Sequence, residues 1–140
     1  MNAEELLERY TSGERHFAGV DLSGVDLNKA NLLEINLANA NLINANLSYA
    51  DLINANLSGA NLSNANLNCI DLSDANLSNA NLSEAHLGDA QLINANFSGA
   101  NLKEAWLEGA DLSGANLSNA CLENATLHYA DVTDANRAWS

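Results

Sequence analysis

From Phe17 to Val132 an apolar residue returns at every fifth position, and 21 of these 24 centres are Leu, the exceptions being Phe17, Phe97 and Val132. Two residues before each centre stands Ala in 19 of 23 repeats from Val20 onward, and the slot between them is Asn or Asp in 18. A helix needs apolar returns near 3.6 residues, and a plain strand needs them at every second residue without interruption. A period of five satisfies neither. Within one unit, Ala, Asn, Leu and Ser alternate inward and outward, and the fifth residue, often Gly, Asn or Asp, has turn character. Each unit therefore reads as a short extended side plus a corner. Four sides bring the chain round in twenty residues, so residue i lies under i+20 and strand-like ladders join successive coils. The pattern predicts a square-sectioned all-β solenoid with an interior of Leu and Ala. Ile35 and Ile70 stand in slots otherwise filled by Ala and predict local bulging.

The chain divides into residues 1–13, a capping helix and turn, and residues 14–140, a repeat solenoid forming a single structural domain. Asn2 is placed to cap a helix whose third residue is Glu5, with Leu6, Leu7 and Tyr10 as its apolar stripe. Thr11, Ser12 and Gly13 then end it and let the chain enter the first coil, covering an open apolar end and its strand edge. At the other end the repeats stop, with Arg137 where Leu is expected. Either Trp139 folds over the last coil or that end meets a second molecule, giving a monomer or a weak end-to-end dimer through the C-terminal coil.

Units such as Ala45-Asn46-Leu47-Ser48-Tyr49 and Ala75-Asn76-Leu77-Ser78-Asn79 resemble the pentapeptide-repeat family, and the match runs from Val20 to Asn136 almost without a break. The capped start is similar to that of small cyanobacterial members. The resemblance implies a right-handed quadrilateral β-helix, with the central Leu and the preceding small residue pointing inward. Counting from Val20 gives about six coils, roughly 29 Å at the usual strand spacing.

Composition narrows the function. Eighteen carboxylates face five Lys and Arg, a formal charge of −13, which opposes direct nucleic-acid binding and anionic membrane surfaces. No apolar run is long enough to span a bilayer. The start carries Glu4, Glu5, Glu8 and Arg9 without an apolar segment, unlike a secretory signal, so a cytoplasmic location is expected. Cys69 and Cys121 are too few for a disulfide framework, and their register puts them beyond disulfide reach.

The twenty-residue coil sorts outward residues onto faces. One presents Asp51, Asp71, Asp111 and Asp131 beside Leu33, Ile53 and Ile93, either an acidic and aliphatic partner surface or a slot that Asp shares with Asn. Another gathers Tyr49, His86, Trp106, His128 and Tyr129, with Trp106 expected over His86, either an interface or surface decoration. A third carries Asn36, Asn56, Asn76, Asn96, Asn116 and Asn136 in one column, which predicts an Asn ladder bonded coil to coil.

Chemistry is absent from the pattern. His86 and His128 lie about 10 Å apart, too far to share a metal. Asp89 follows His86, but no nucleophile, oxyanion donor or concave pocket is expected beside the pair. No cofactor and no catalytic residue are expected. The chain thus reads as a non-enzymatic scaffold or interaction module for an unidentified protein. The alternative comes from the resemblance: some family members are acidic rods that mimic DNA on type II topoisomerases such as gyrase. Val20 to Asp134 carries 14 acidic and two basic residues, about one charge per 2.4 Å against ~1.7 Å in duplex DNA. This chain departs from those members by being shorter and lacking a dimerising helix after Asn136.

Overall fold

The computed structural model describes residues 1–139. One helix, α1, runs over Ala3–Thr11. Asn2 keeps an extended backbone, and its side-chain oxygen accepts the Glu5 N–H at 2.8 Å, satisfying a donor that a helix start leaves open. At the far end the Ser12 N–H returns to the Glu8 carbonyl and the Gly13 N–H to that of Tyr10. Gly13, at φ +103, then turns the chain toward the first coil.

The apolar stripe of α1 is narrower than its sequence suggests. Leu6 is fully buried, whereas Leu7 is 36% exposed, because adjacent helical residues point about 100° apart. Tyr10 takes over the second anchor, its hydroxyl donating to the Leu33 carbonyl at 2.8 Å. Arg9 binds both carboxylate oxygens of Glu14 and lies over the Phe17 ring at 5.1 Å. Arg15 lies over the Tyr10 ring at 3.7 Å.

The rest is a β-solenoid. Parallel bridges join residue i to i+20 without a break from His16–Asn36 to Asn116–Asn136. Where the periodicity predicts strand-like ladders, each side bridges its neighbours through a single residue, since a corner interrupts every fifth position. At a corner such as Leu37 to Ala40, the Ala40 N–H bonds the Leu37 carbonyl at 3.0 Å, and Asn39 has φ +58, the type II pattern. Positive φ recurs at every fifth residue from Gly19 to Asp134, at six Gly and 18 other residues.

The Leu centres and the Ala slots form one continuous core from Leu6 to Leu122. Ile35 and Ile70 do not bulge. Both are fully buried, and the carbonyls of Ile35 and Ile70 still accept Asn56 and Gln91 at 2.9 and 2.8 Å. Ala50 and Ala90 flank Ile70, and Ala55 follows Ile35 in the next coil, so each larger side chain packs against at least one small axial neighbour.

Among the described residues no coil stacks on the last one. Leu127 and Val132 are half-buried, and the N–H groups of Leu122, Asn124, Leu127, Tyr129, Val132 and Asp134 have no intrachain acceptor among the described residues. Trp139 packs, half-buried, against the core.

Candidate functional site

The Asn/Asp slot has a structural purpose that separates scaffold from site. Each of the 19 Asn and Asp residues in this slot, from Asp21 to Asn136, accepts the backbone N–H two residues on, at 2.9–3.4 Å. This is the Asx-turn, which closes each corner locally. It corrects the expected Asn ladder: among the described residues no bond joins the side chains of Asn36, Asn56, Asn76, Asn96, Asn116 and Asn136 to one another, and each oxygen instead closes its own turn.

The acidic face is built on the same turns. Asp51, Asp71, Asp111 and Asp131 hold the N–H groups of Ile53, Ser73, Ser113 and Thr133. Bonds from the Thr133 side chain and backbone hold the Asp131 carboxyl below its ordinary range, and the Ser23 backbone and hydroxyl do so for Asp21. Leu33, 36% exposed, adjoins half-buried Ile53, while Ile93 stands apart between Ser73 and Ser113. Turn closure requires a side-chain oxygen at these positions, which Asp and Asn supply equally.

Six slots lack Asn or Asp: His16, His86, Gln91, Trp106, Cys121 and Thr126. His16, Gln91 and Cys121 are solitary in their columns. His86, Trp106 and Thr126 instead follow one another through consecutive coils, bridged His86 to Trp106 and Trp106 to Thr126. The N–H groups of Glu108 and His128 are left without an intrachain acceptor among the described residues. That of Gly88 is rescued from the neighbouring coil by the Asn68 side-chain oxygen at 2.8 Å. Each forfeited bond is worth about 0.5–1.5 kcal/mol. The local rule is thus broken in one contiguous patch, which makes it the candidate site.

The patch has relief. The His86 and Trp106 rings stack with centroids 4.6 Å apart and a 41° tilt, and Trp106 is 57% exposed. On one side of this ridge lies a depression of about 390 Å³ lined by Asn68, Asp89, Glu108 and Tyr129. On the other lies one of about 430 Å³ lined by Asn64, Glu84, Glu104 and Asn124. The repeat pattern predicts no concavity beside His86 and Asp89, and the hollows correct that expectation. Two glycines open the first hollow: a Cβ on Gly88 would stand 3.0 Å from the Asn68 oxygen, and one on Gly109 only 2.3 Å from an Asp89 oxygen. Neither glycine has a functional signal as a residue type. Only its place beside the missing Asx residues could have exposed it.

Glu84, Glu104, Asp89 and Glu108 are exposed and make no ion pair among the described residues. Tyr129 is 89% exposed, its ring 5.9 Å from that of His128. Tyr49, 61% exposed, lines neither hollow. It contacts Cys69 instead, and hydrogen bonding to that thiol raises the Tyr49 phenol above its ordinary range. Cys69 and Cys121 are both free.

Residues 21–136 match, in overlapping segments, the family model of pentapeptide repeats, present in 8 copies. The chain belongs to the pentapeptide-repeat family. This pentapeptide-repeat protein is similar to HetL, a family member involved in heterocyst differentiation regulation from the cyanobacterium Nostoc sp. strain PCC 7120. The two share 28% identity over 99% of this chain and 94% of HetL, with a TM-score of 0.61. A pentapeptide repeat protein from the Arabidopsis thaliana thylakoid lumen shares 33% identity over 70% of this chain and 69% of its own, with a TM-score of 0.67. QnrB1, a plasmid-mediated fluoroquinolone resistance protein, has the same fold, at 21% identity over 86% of this chain and 80% of its own and a TM-score of 0.53. No curated protein sequence matches the chain.

Proposed function

We propose that this pentapeptide-repeat protein is a non-catalytic scaffold, a right-handed quadrilateral β-helix of about six coils, that binds a protein partner through the face bearing His86, Trp106 and Tyr129. One observation carries the reading: three consecutive coils give up the turn-closing Asx residue on the same face that exposes Trp106. Exposed Trp and Tyr beside concave surface are the residues that anchor protein interfaces. Thr126 and Tyr129 are the hydroxyls in the hollow beside His86 and Asp89, and neither is hydrogen-bonded to the imidazole as a base-activated nucleophile among the described residues, which favours binding over chemistry.

Affinity capture from the source organism tests this. Wild-type protein should retain a partner that Trp106→Ala loses and that Leu33→Asp, on the acidic face, keeps. An identical set of captured proteins for all three would sink the reading. The gyrase alternative is weaker, because the carboxylates of the solenoid are spread over several faces rather than gathered on one. Inhibition of gyrase supercoiling at micromolar protein would revive it. The unpaired N–H groups and half-exposed Leu127 and Val132 of the last coil support a weak end-to-end dimer. Sedimentation that stays monomeric up to millimolar protein would remove that proposal.

A further inference from the structure

We infer that the His86–Trp106 ridge and its two flanking hollows form a docking site for an arginine-bearing segment of a partner protein, an inference that rests on the interaction reading above. The ridge supplies an aromatic face 57% open to solvent. Each hollow is bordered by two carboxylates, Asp89 and Glu108 on one side and Glu84 and Glu104 on the other. None of the four is neutralised by an ion pair among the described residues. An indole face between paired carboxylates is complementary to a planar cation that both stacks and donates several hydrogen bonds. Guanidinium combines these properties better than ammonium, whose charge is compact and strongly hydrated.

The chain already contains this chemistry at its own cap. Arg9 lies over Phe17 while its Nε and Nη2 engage Glu14, and Arg15 lies over Tyr10. At the cap the arginines belong to the chain. At the ridge the aromatic group and the carboxylates are present and the arginine is missing. The nearest lysine in sequence, Lys103, is exposed and makes no ion pair among the described residues, so it does not neutralise the hollows. Two hollows on opposite sides of one ridge suit a segment with more than one arginine, straddling Trp106.

The probe is a fluorescein-labelled peptide of four Arg-Ser-Gly repeats, compared with the same peptide carrying lysine or uncharged citrulline in place of arginine. Fluorescence polarisation at about physiological ionic strength keeps long-range charge screened. The arginine peptide should bind, the lysine peptide more weakly, and the citrulline peptide least. Trp106→Ala should weaken arginine-peptide binding about two- to fivefold, the weight of an exposed cation–π contact. Glu84→Gln with Glu104→Gln, and Asp89→Asn with Glu108→Gln, should each weaken it about fivefold. The triple variant Asp51→Asn, Asp71→Asn, Asp111→Asn, which removes three charges elsewhere but keeps the turn acceptors, should bind as wild type.

Equal weakening by that triple variant would show attraction to net charge alone and overturn the inference, as would equal affinity for the citrulline peptide. Circular dichroism and thermal unfolding check that each variant stays folded. The inference and the reading beneath it fail separately. If the captured partner is lost by Trp106→Ala but kept when all four carboxylates are neutralised, the interaction face stands and the arginine segment is wrong. If Trp106→Ala changes neither the captured proteins nor peptide binding, both fall.

Discussion

The side-chain oxygen of Asn68 holds the backbone N–H of Gly88 in the next coil at 2.8 Å, doing for that corner what His86 cannot do for its own. Asn68→Ala should therefore cost about 1 kcal/mol in the wild-type background. In a His86→Asn background the corner can close locally, and the same change should cost little. Urea unfolding of the four proteins in this cycle measures the coupling. Equal costs in both backgrounds would mean that Asn68 is not a substitute for the absent Asx.

Gln91 occupies an Asx slot with a side chain one methylene too long, and the Ile93 N–H finds no acceptor among the described residues. Gln91→Asn should raise stability by about 0.5–1 kcal/mol. Because this face lies away from Trp106, partner capture should not change. A neutral or lower melting temperature would contradict the structural role given to the slot.

Corner glycines differ in what surrounds them. Gly24, at φ +68, has nothing within 4 Å of a built Cβ, whereas on Gly114, at φ +70, a Cβ would stand 2.1 Å from the Asn94 oxygen. Gly24→Ala should cost only the strain of a left-handed residue, about 1 kcal/mol. Gly114→Ala should cost more, since Asn94 must also move. Equal losses in chemical denaturation would show that the Asn94 side chain yields freely.

Core truncation should depend on position along the rod. Leu77 is fully buried between neighbouring coils, while Leu127 at the open end is half-exposed. Leu77→Ala should cost about 2–5 kcal/mol, and Leu127→Ala markedly less. Thermal unfolding with equal losses at both sites would mean that the end is covered in solution, which is the outcome expected if the last coil dimerises.

The cap should loosen in acid. The hydrogen bond to Arg9, followed by their attraction, holds the Glu14 carboxyl below its ordinary range. A group with a depressed folded pKa stabilises the fold above its unfolded value, near ~4.3 for Glu, and that contribution is lost as pH falls through the folded value. Hydrogen exchange of α1 should accelerate across that window, and Glu14→Gln should remove the part of the response due to this pair. Both groups are solvent-exposed, so the effect should be small and salt-sensitive.

Much of the fold was legible because repetition makes local chemistry unambiguous. Asn2 and Glu5 announced the helix start, Leu at every fifth residue announced the core, and the step from His86 to Trp106 placed one ring over the other. The failures were of two kinds. Residue size alone predicts bulging at Ile35 and Ile70, but Ala55 lies beside the first and Ala50 and Ala90 flank the second along the axis, and hydrophobicity alone buries Leu7, which its angle around α1 turns outward. The Asn column was assigned to coil-to-coil bonding although the same oxygen can reach its own turn.

The candidate site was half legible. Trp106 and Tyr129 stood out as large groups in outward slots, and the three successive slots without Asx were already written in the chain at a spacing of twenty. The hollows were not: the first opens where Gly88 and Gly109 lack side chains, and both depend on how side chains from successive coils stack.

By itself the sequence determined the period, the register, the buried Leu and Ala columns and the corners, because each depends on chemistry repeated within five residues and summed over many coils. Even Tyr49, Cys69 and Tyr129 are held at positive φ by that register, against their own preference. Only the tertiary structure decided which acceptor takes each N–H, how far apart carboxylates from different coils stand, and where the surface is concave. Those depend on distances between coils, and two residues that share a column in the sequence become a ridge, a bond or a gap only when the coils are stacked.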